Sequence, residues 1–442
     1  MAGSSVVASA AIAVGSYSTA AATARVSHSD HATAHAKLSG TLTMALQSFG
    51  DAILQPVINA FKHQNPGVTI QVQVTSAPGT AYQTSLLTDK LGGNLPDIIN
   101  PQDVLAPTLE TDGIIRSLTP YLKKGEPYPQ SAWLPNILAS YIPPKGPGKG
   151  QVFALPNEAD AVVMYYNVNE FKAAHLPLPT DNWTWSQMLK DAAKLKKVSN
   201  GVQTRWGLCD RADWQAIYNP LINALTGKPS LSETSANMAS PGALQAWQML
   251  INPMQNGDAV PYATYLSSGA NCSSLFEAGQ TAMMPGVRGN LPTLRPAVKG
   301  KFNFNVVPMP MVGNKRPTGA GSIAWAISTQ AKHVSLALDF FHFLYSQEGQ
   351  RLEEQGYGVV PSVTSGLGPN ALWRKLPGPP SNVNAFAIAA RAGLIAPQTP
   401  KTVYSLSQTD IPKAIEAVVD EHQSYKTAFG QLNSALDAQY KS

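Results

Sequence analysis

The chain has 442 residues, of which 44% are hydrophobic and only 13% charged, with a formal net charge of +5. That length and apolar content supply cores for two or three domains and exclude a disordered protein. The charged share is about half the usual value for soluble domains, and there is no dense basic run. The strongest cluster, Lys194, Lys196 and Lys197, falls on a predicted helix and reads as a solvated face rather than a nucleic-acid contact.

Residues 6–14 form an apolar stretch with the length of a signal-peptide core, and residues 20–24 (Ala-Ala-Ala-Thr-Ala) offer a small-residue cleavage context. The first basic residue is Arg25, so the usual positive n-region is missing. Residues 1–38 therefore read as a signal-like segment and polar linker, and the mature chain as secreted across the cytoplasmic membrane, periplasmic or associated with the cell surface. No later apolar run approaches the length needed to span a bilayer. His28, Asp30, His31 and His35 have metal-ligand spacing, but in such a linker they read as polar filler, and no metal is expected. Cys209 and Cys272 are the two cysteines. In an exported protein they form one bridge or remain as two buried thiols, and both readings stand. Neither follows the signal-like segment, so no lipid-acylation site is read.

Folded sequence begins with a strand over residues 40–45. Ile53, Leu54, Val57, Ile58 and Phe61 recur at helical spacing, and Asn65-Pro66-Gly67 stops that helix. Residues 68–74 alternate apolar and polar, a second strand. A helix over residues 81–90 leads through Gly92-Gly93 to a third strand at residues 95–99, and a further helix ends at Gly113. This alternation predicts a parallel sheet with covering helices. Residues 143–150 are turn-rich and lack the spacing of a phosphate-binding loop, so they read as a plain hairpin loop. Residues 161–166 (Ala-Val-Val-Met-Tyr-Tyr) read as a buried strand, and Thr184 three residues before Gln187 is a capping box that starts a helix at Trp185. Trp206-Gly207-Leu208 predicts a short strand. Residues 302–307 form another strand, residues 319–322 a glycine turn, and residues 323–328 the strand after it. Leu336, Phe340, Phe341 and Leu344 mark a helix, and two amphipathic helices near residues 411–419 and 428–440 end the chain.

Motifs of metalloproteases, serine hydrolases, dinucleotide-binding enzymes and dithiol oxidoreductases are absent, and no catalytic residue or cofactor is assigned. A binding protein needs a cleft whose side chains grip a polar ligand. Sugars present C–H faces that pack on aromatic rings and hydroxyl rims that bond to Asp, Glu, Asn, Gln and Arg. Such residues belong on loops after the carboxyl ends of strands. That rule selects Gln47, Ser48 and Phe49 after the first strand, and Asn100, Gln102 and Asp103 after the third. It also selects Asn157, Glu158 and Asp160 before the buried strand, and Asp210, Asp213 and Trp214 after Trp206. Asp103 serves equally well as a helix N-cap, and Trp214 as a packing residue. Gly319, Gly321 and Ser322 offer backbone amides, with Tyr404 and Ser405 as a further edge.

The order of these elements resembles the extracellular solute-binding proteins of ABC importers, of the maltose and multiple-sugar type. The resemblance rests on Leu155-Pro156, Tyr166-Asn167 and Thr184-Trp185, on Phe61 with Asn65-Pro66-Gly67-Val68, and on Gly93 with Pro96-Asp97-Ile98-Ile99. It covers residues 40–440. It implies an α/β fold of two lobes, similar to periplasmic binding proteins, with a hinge and an interlobe cleft. Lobe 1 would comprise residues 39–155 with roughly 309–370 returning to it. Lobe 2 would comprise residues 156–308 with roughly 371–442 largely returning. The resemblance further implies capture of a carbohydrate by hinge closure, delivery to ABC permease subunits, a monomeric state, no nucleic-acid partner and no enzymatic activity. It places ligand-binding acids near Asp103 and at Asp160. Arg288 stands near a position where the family often carries a stacking Trp; as a departure it raises acidic or phosphorylated sugars, since Arg pairs with carboxylates and phosphates. Two alternatives remain: a binding protein of the same fold for a non-sugar solute such as a polyamine, and a secreted carbohydrate-active enzyme using Asp103 and Asp160.

Overall fold

The structure, a computed structural model, describes residues 38–75, 79–122, 129–267, 271–356, 359–375 and 377–441. Among these are thirteen strands. The first five are β1 (Ser39–Gln47), β2 (Gly67–Thr75), β3 (Ile98–Ile99), β4 (Leu155–Pro156) and β5 (Asp160–Ala161). Then follow β6 (Val163–Asn167), β7 (Lys197–Ser199), β8 (Val202–Arg205), β9 (Met283–Gly286) and β10 (Phe304–Pro308). The last three are β11 (Gly319–Gly321), β12 (Ala324–Ile327) and β13 (Leu394–Ile395).

A five-stranded sheet has the order β2-β1-β3-β12-β4. β1 pairs in parallel with β2 and β3, whereas β12 runs antiparallel to β3 and β4. Its two faces bury different residues, as a sheet covered on both sides requires. Leu42, Met44, Leu46, Trp325 and Ile327 enter one core with Phe61, Phe340 and Phe341. Ala45, Ile99, Ala324 and Ala326 enter the other with Tyr82 and Leu109. The third strand is only two residues long, shorter than the sequence predicts, because Pro96 has no N–H to give the ladder. Its neighbour Asp97 instead works through its side chain. The carboxylate accepts from Thr43 N (3.0 Å), Thr43 Oγ1 (2.7 Å), Lys332 N (2.7 Å) and His333 N (3.0 Å). Burial raises this group, but the four bonds outweigh it and hold Asp97 below the ordinary carboxylate range.

A second sheet, β10-β6-β9, is antiparallel throughout. The apolar run expected as one strand is divided at Val162 into β5 and β6. β6 is wholly buried and splits by its period of two: Met164 and Tyr166 join one core, Val163 and Tyr165 another. The capping box at Thr184 is present and opens the helix Trp185–Leu195, with Trp183 and Trp185 both buried. The closing helices Lys401–Val419 and Tyr425–Gln439 pack on the core containing Met164, where Phe429 stacks on Trp247 at 4.2 Å. Trp206 and Leu208 make single bridges, to Thr281 and Ala259, rather than a strand. The turn-rich residues 143–150 lie between the short helix Ala139–Tyr141 and β4, so no hairpin forms there.

The glycine segment expected as a turn is itself a strand. β11 pairs antiparallel with β5 and parallel with β13. Its residues must be small: a Cβ on Gly319 would lie 2.2 Å from the Ala216 carbonyl oxygen, and one on Gly393 would lie 2.4 Å from the Ala320 Cβ. Cys209 and Cys272 form a disulfide, Cα–Cα 5.5 Å, which resolves the alternatives left by the sequence. It pins the segment entering residues 210–214 to the helix Cys272–Glu277, and the Cys209 amide donates to Met283 O at 2.9 Å.

Two outcomes follow for stability. Reducing the bridge, or making Cys209→Ser, should lower unfolding free energy by about 2–4 kcal/mol in urea titrations; an unchanged midpoint would contradict its structural role. Gly319→Ala should cost about 1–3 kcal/mol through overpacking. Gly430→Ala, at a helical site with open space around the Cβ position, should instead add about 0.5–1 kcal/mol.

Candidate functional site

The site is built where β11 meets β5. Their register sets Gly321 opposite Asp160 and Ala320 opposite Ala161. Immediately after β11, Ser322 Oγ donates to the Glu158 carbonyl oxygen at 2.6 Å, and the Asp103 amide donates to Ser322 O at 3.0 Å. A Cβ on Gly321 would stand 3.7 Å from Asp103 Oδ2, so the Asp103 carboxylate lies against that glycine. Asp103, Glu158 and Asp160, remote in sequence, are thereby gathered around one short strand. The backbone amides of Gly289 and Arg288, at the start of the helical turn Arg288–Asn290 after β9, donate to the Asp160 carboxylate.

The facing wall is the segment held by the disulfide. Arg211 lays its guanidinium over the Trp214 ring, 4.2 Å from the centroid, and Trp214 N donates to Arg211 O at 2.9 Å. Trp214 is the N-cap residue of the helix Gln215–Thr226, whose first turn presses on Gly319. Between the walls lies a cavity of about 690 Å³. An adjoining cavity of about 300 Å³ shares Asp103, Val104, Gln215, Ala396, Tyr404 and Gln408 with it, so the two form one elongated cleft.

Burial governs the acids here. It pushes Asp103 up to about 7, aided by the charge of Asp160 and opposed by backbone amides of Val104, Asp103 itself and Ser322. Asp160 also rises to about 7 through burial, opposed by the Gly289 and Arg288 amides and the Arg288 charge. Glu158 is driven well above the ordinary range by burial, then by Asp160 and Glu353. Asp213 is raised by burial against the pull of Arg211, and Asp210 behind it is raised strongly by burial and by Asp213. Near neutral pH the cleft therefore offers both carboxylate acceptors and carboxylic-acid donors. Among the described residues, no group of three or more His, Cys, Asp and Glu is arranged to hold a metal ion.

Of the residues singled out in the sequence, Gln102, Asp103, Glu158, Asp160, Asp213, Trp214, Gly321, Ser322 and Tyr404 line the main cavity. Gln47, Asn100 and Arg288 do not. β1 extends through Gln47, whose Nε2 donates to Asn100 O (3.0 Å) and whose Oε1 accepts from Gly79 N (3.3 Å). Asn100 Nδ2 donates to Ala324 O at 2.9 Å, stitching β3 to β12. Ser48 and Phe49 open the helix Ser48–Gln64, and their side chains lie outside the described residues. The Arg288 side chain is buried behind the wall, 5.1 Å from the Trp373 ring centroid, with Nη2 donating to Trp373 O at 3.1 Å. Burial lowers it to about 10. The alternative role of Asp103 as a helix N-cap is not realised, because Leu105 holds that position before the helix Ala106–Thr111. The sequence reading passed over Arg211, Gln215, Asn219 and Gln408, all of which line the cavity. The available signal was helical spacing: Gln215 and Asn219, like Tyr404 and Gln408, are four residues apart and share a helix face.

Residues 46–351 match the family model of bacterial extracellular solute-binding proteins, and the chain belongs to that family. A multiple sugar-binding protein of Streptococcus mutans is 24% identical over 312 residues, covering 66% of this chain and 68% of its own. An sn-glycerol-3-phosphate-binding periplasmic protein of Yersinia pestis is 23% identical over 367 residues, covering 79% of each chain. Among solved structures, an ABC substrate-binding protein of Listeria monocytogenes in complex with cycloalternan superposes with a TM-score of 0.75 at 21% identity, over 91% of this chain and 99% of its own. The sugar-binding protein MalE of Xanthomonas citri gives 0.74 at 19% identity, over 91% and 98%. The fold is thus the two-lobed α/β fold of solute-binding proteins.

The raised acids set a pH dependence. A carboxyl whose folded value lies near 7, against about 3.8 unfolded, keeps its proton longer in the native state. Stability then falls as pH climbs from about 4 to about 7 and levels off above. Melting temperature of the ligand-free protein should decline across that window, and Asp160→Asn or Asp103→Asn should flatten the decline and raise melting at pH 8. A flat wild-type profile, or one rising towards pH 7, would refute it.

Proposed function

We propose that this protein is the extracytoplasmic binding component of an ABC importer and that its ligand is a carbohydrate, most simply an oligosaccharide. The carrying observation is the cleft itself. An aromatic face at Trp214 stands across from the clustered acids Asp103, Glu158 and Asp160, with amide side chains of Gln215, Asn219 and Gln408 around it. That combination matches the apolar faces and hydroxyl rims of a sugar. The second cavity, continuous with the first through Asp103 and Tyr404, supports a ligand longer than one ring. The Streptococcus and Xanthomonas relatives are sugar-binding proteins and the Listeria protein is in complex with cycloalternan, which supports the same reading. The ligand contacts are assigned to Asp103, Glu158, Asp160, Asp213, Trp214, Gly321, Ser322 and Tyr404, with Arg211, Gln215 and Asn219 added.

In this reading lobe 1 comprises residues 39–155 with roughly 309–370, and lobe 2 comprises residues 156–308 with most of 371–442. The pairing of β12 with β3 and β4 supports the first assignment, and the packing of the last two helices on the Met164 core supports the second. Ligand bridging both walls favours a closed state over an open one by its differential affinity. The protein acts as a secreted monomer that binds without turnover and docks on permease subunits.

A ligand at 100 times its dissociation constant should stabilise the fold by about 2.7 kcal/mol, a clear melting shift in a screen of mono- to tetrasaccharides. Trp214→Ala should weaken the responding sugar about tenfold or more, ~1.4 kcal/mol, by titration calorimetry. Silence across the sugars, with a response to non-sugar solutes, would keep the fold and reject the ligand class.

A further inference from the structure

Resting on the carbohydrate reading, we propose that the cleft selects a sugar carrying a protonated amine, with its ammonium group held among Asp103, Glu158 and Asp160. The charge inventory of the cleft leads there. The lining contains those three acids and Asp213, but neither lysine nor histidine, and its one cationic side chain is Arg211. Arg211 is committed to the opposite wall, stacked on Trp214 beside Asp213. The other nearby guanidinium, Arg288, lies behind the wall on Trp373 and Phe386, where its charge lowers Asp160 without lining the cavity. On the cavity side the acid triad faces no cationic side chain other than the Arg211 held on the opposite wall.

The three carboxyls also act on one another. Asp160 raises both Asp103 and Glu158 through space, and Glu353 adds to Glu158 from behind. Glu158 is only 7% exposed and lines the cavity, so its carboxyl meets the ligand space with little bulk water around it. A donor brought by the ligand replaces that water where a charged hydrogen bond is strongest. A neutral hydroxyl donates one hydrogen bond and leaves the ionised carboxylates uncompensated. An ammonium donates three and lets the neighbouring carboxyls ionise around it. A carboxylated or phosphorylated sugar would add to the repulsion, which reverses the preference that Arg288 suggested in the sequence. A bare polyamine would satisfy the acids but leave the Trp214 face and the amides of Gln215 and Asn219 unused, which favours an amino sugar.

The test is calorimetric titration with matched pairs of monomers to trimers in the gluco, galacto and manno series. Within a pair the ligands differ only in an ammonium or a hydroxyl at C2. Spermidine is titrated alongside, and the wild type is compared with Asp160→Asn and Glu158→Gln. The amino member of the bound pair should bind about tenfold tighter, as a charged rather than a neutral hydrogen bond implies. That ratio should shrink in both variants, whose folding is checked separately by circular dichroism and by ligand-free melting. If the neutral member binds as tightly or more tightly, the amine assignment fails and the carbohydrate reading stands. If the amino member wins but the ratio is unchanged in both variants, the acid triad is not its recognition element and the assignment fails. If spermidine binds and no sugar does, both readings fall together, as they do if nothing binds.

Discussion

The site depends on one close approach: a three-residue strand without bulk, β11, inserted between β5, β13 and the first turn of the helix Gln215–Thr226. Each contact of this strand positions a different part of the cleft. Pairing with β5 fixes Asp160 opposite Gly321. The turn out of the strand lets Ser322 reach the Glu158 carbonyl and receive the Asp103 amide. Contact of Gly319 with Ala216 sets how near the Trp214 wall can come. Side chains on β11 would push these walls apart, so the cavity width is set by absent atoms rather than by present ones.

A second consequence is electrostatic. Gathering several acids in a half-enclosed cleft opposes folding, since each carboxylate loses water and meets like charge. The protein offsets this only in part. Backbone amides of Arg288 and Gly289 serve Asp160, and the Val104 amide serves Asp103 at 3.0 Å. The contrast with Asp97 is instructive, because four donors bring that acid below its ordinary range. Asp97 is therefore a structural acid joining β1 to the segment after β12. The cleft acids remain under-satisfied, and this difference separates a residue that holds the fold from residues that await a ligand.

Local features were legible in the sequence because their physics is local. Alternation in residues 68–74 produced β2, the Thr184–Gln187 pair produced a capping box, and the apolar run before Asn167 produced β6. The four acids lining the cleft, Asp103, Glu158, Asp160 and Asp213, were also legible, since each lies beside a strand or an extended segment with an apolar pattern. What the sequence could not reveal depends on distant partners. β11 lies about 160 residues beyond β5, and nothing in Gly-Ala-Gly distinguishes a turn from a strand that must pass close to another backbone. Gln47 was misplaced because β1 runs two residues past the strand read over residues 40–45, its alternation continuing through Leu46. Arg288 was misplaced for a different reason: a long side chain can point to either side of a wall, and Trp373, 85 residues later, decides which.

The disulfide connects these themes. Residues 210–214 carry Arg211, Asp213 and Trp214 yet contain no strand or helix of their own, so their order must come from both ends. At one end the Cys209 bridge and its amide bond to Met283 O fix the entry. At the other, Trp214 begins a helix pressed on Gly319. A binding loop held this way loses little conformational entropy when a ligand arrives, so more of the contact energy appears as affinity. The acids on the opposite wall sit on elements fixed by β-pairing and carry unmet hydrogen-bonding capacity. One wall is thus rigid and aromatic, and the other rigid and electrostatically unsatisfied. A ligand that touches only one gains little, whereas one that spans both is stabilised by stacking and by donation together. Such a division favours the closed arrangement only for a molecule with an apolar face and a donor-rich edge.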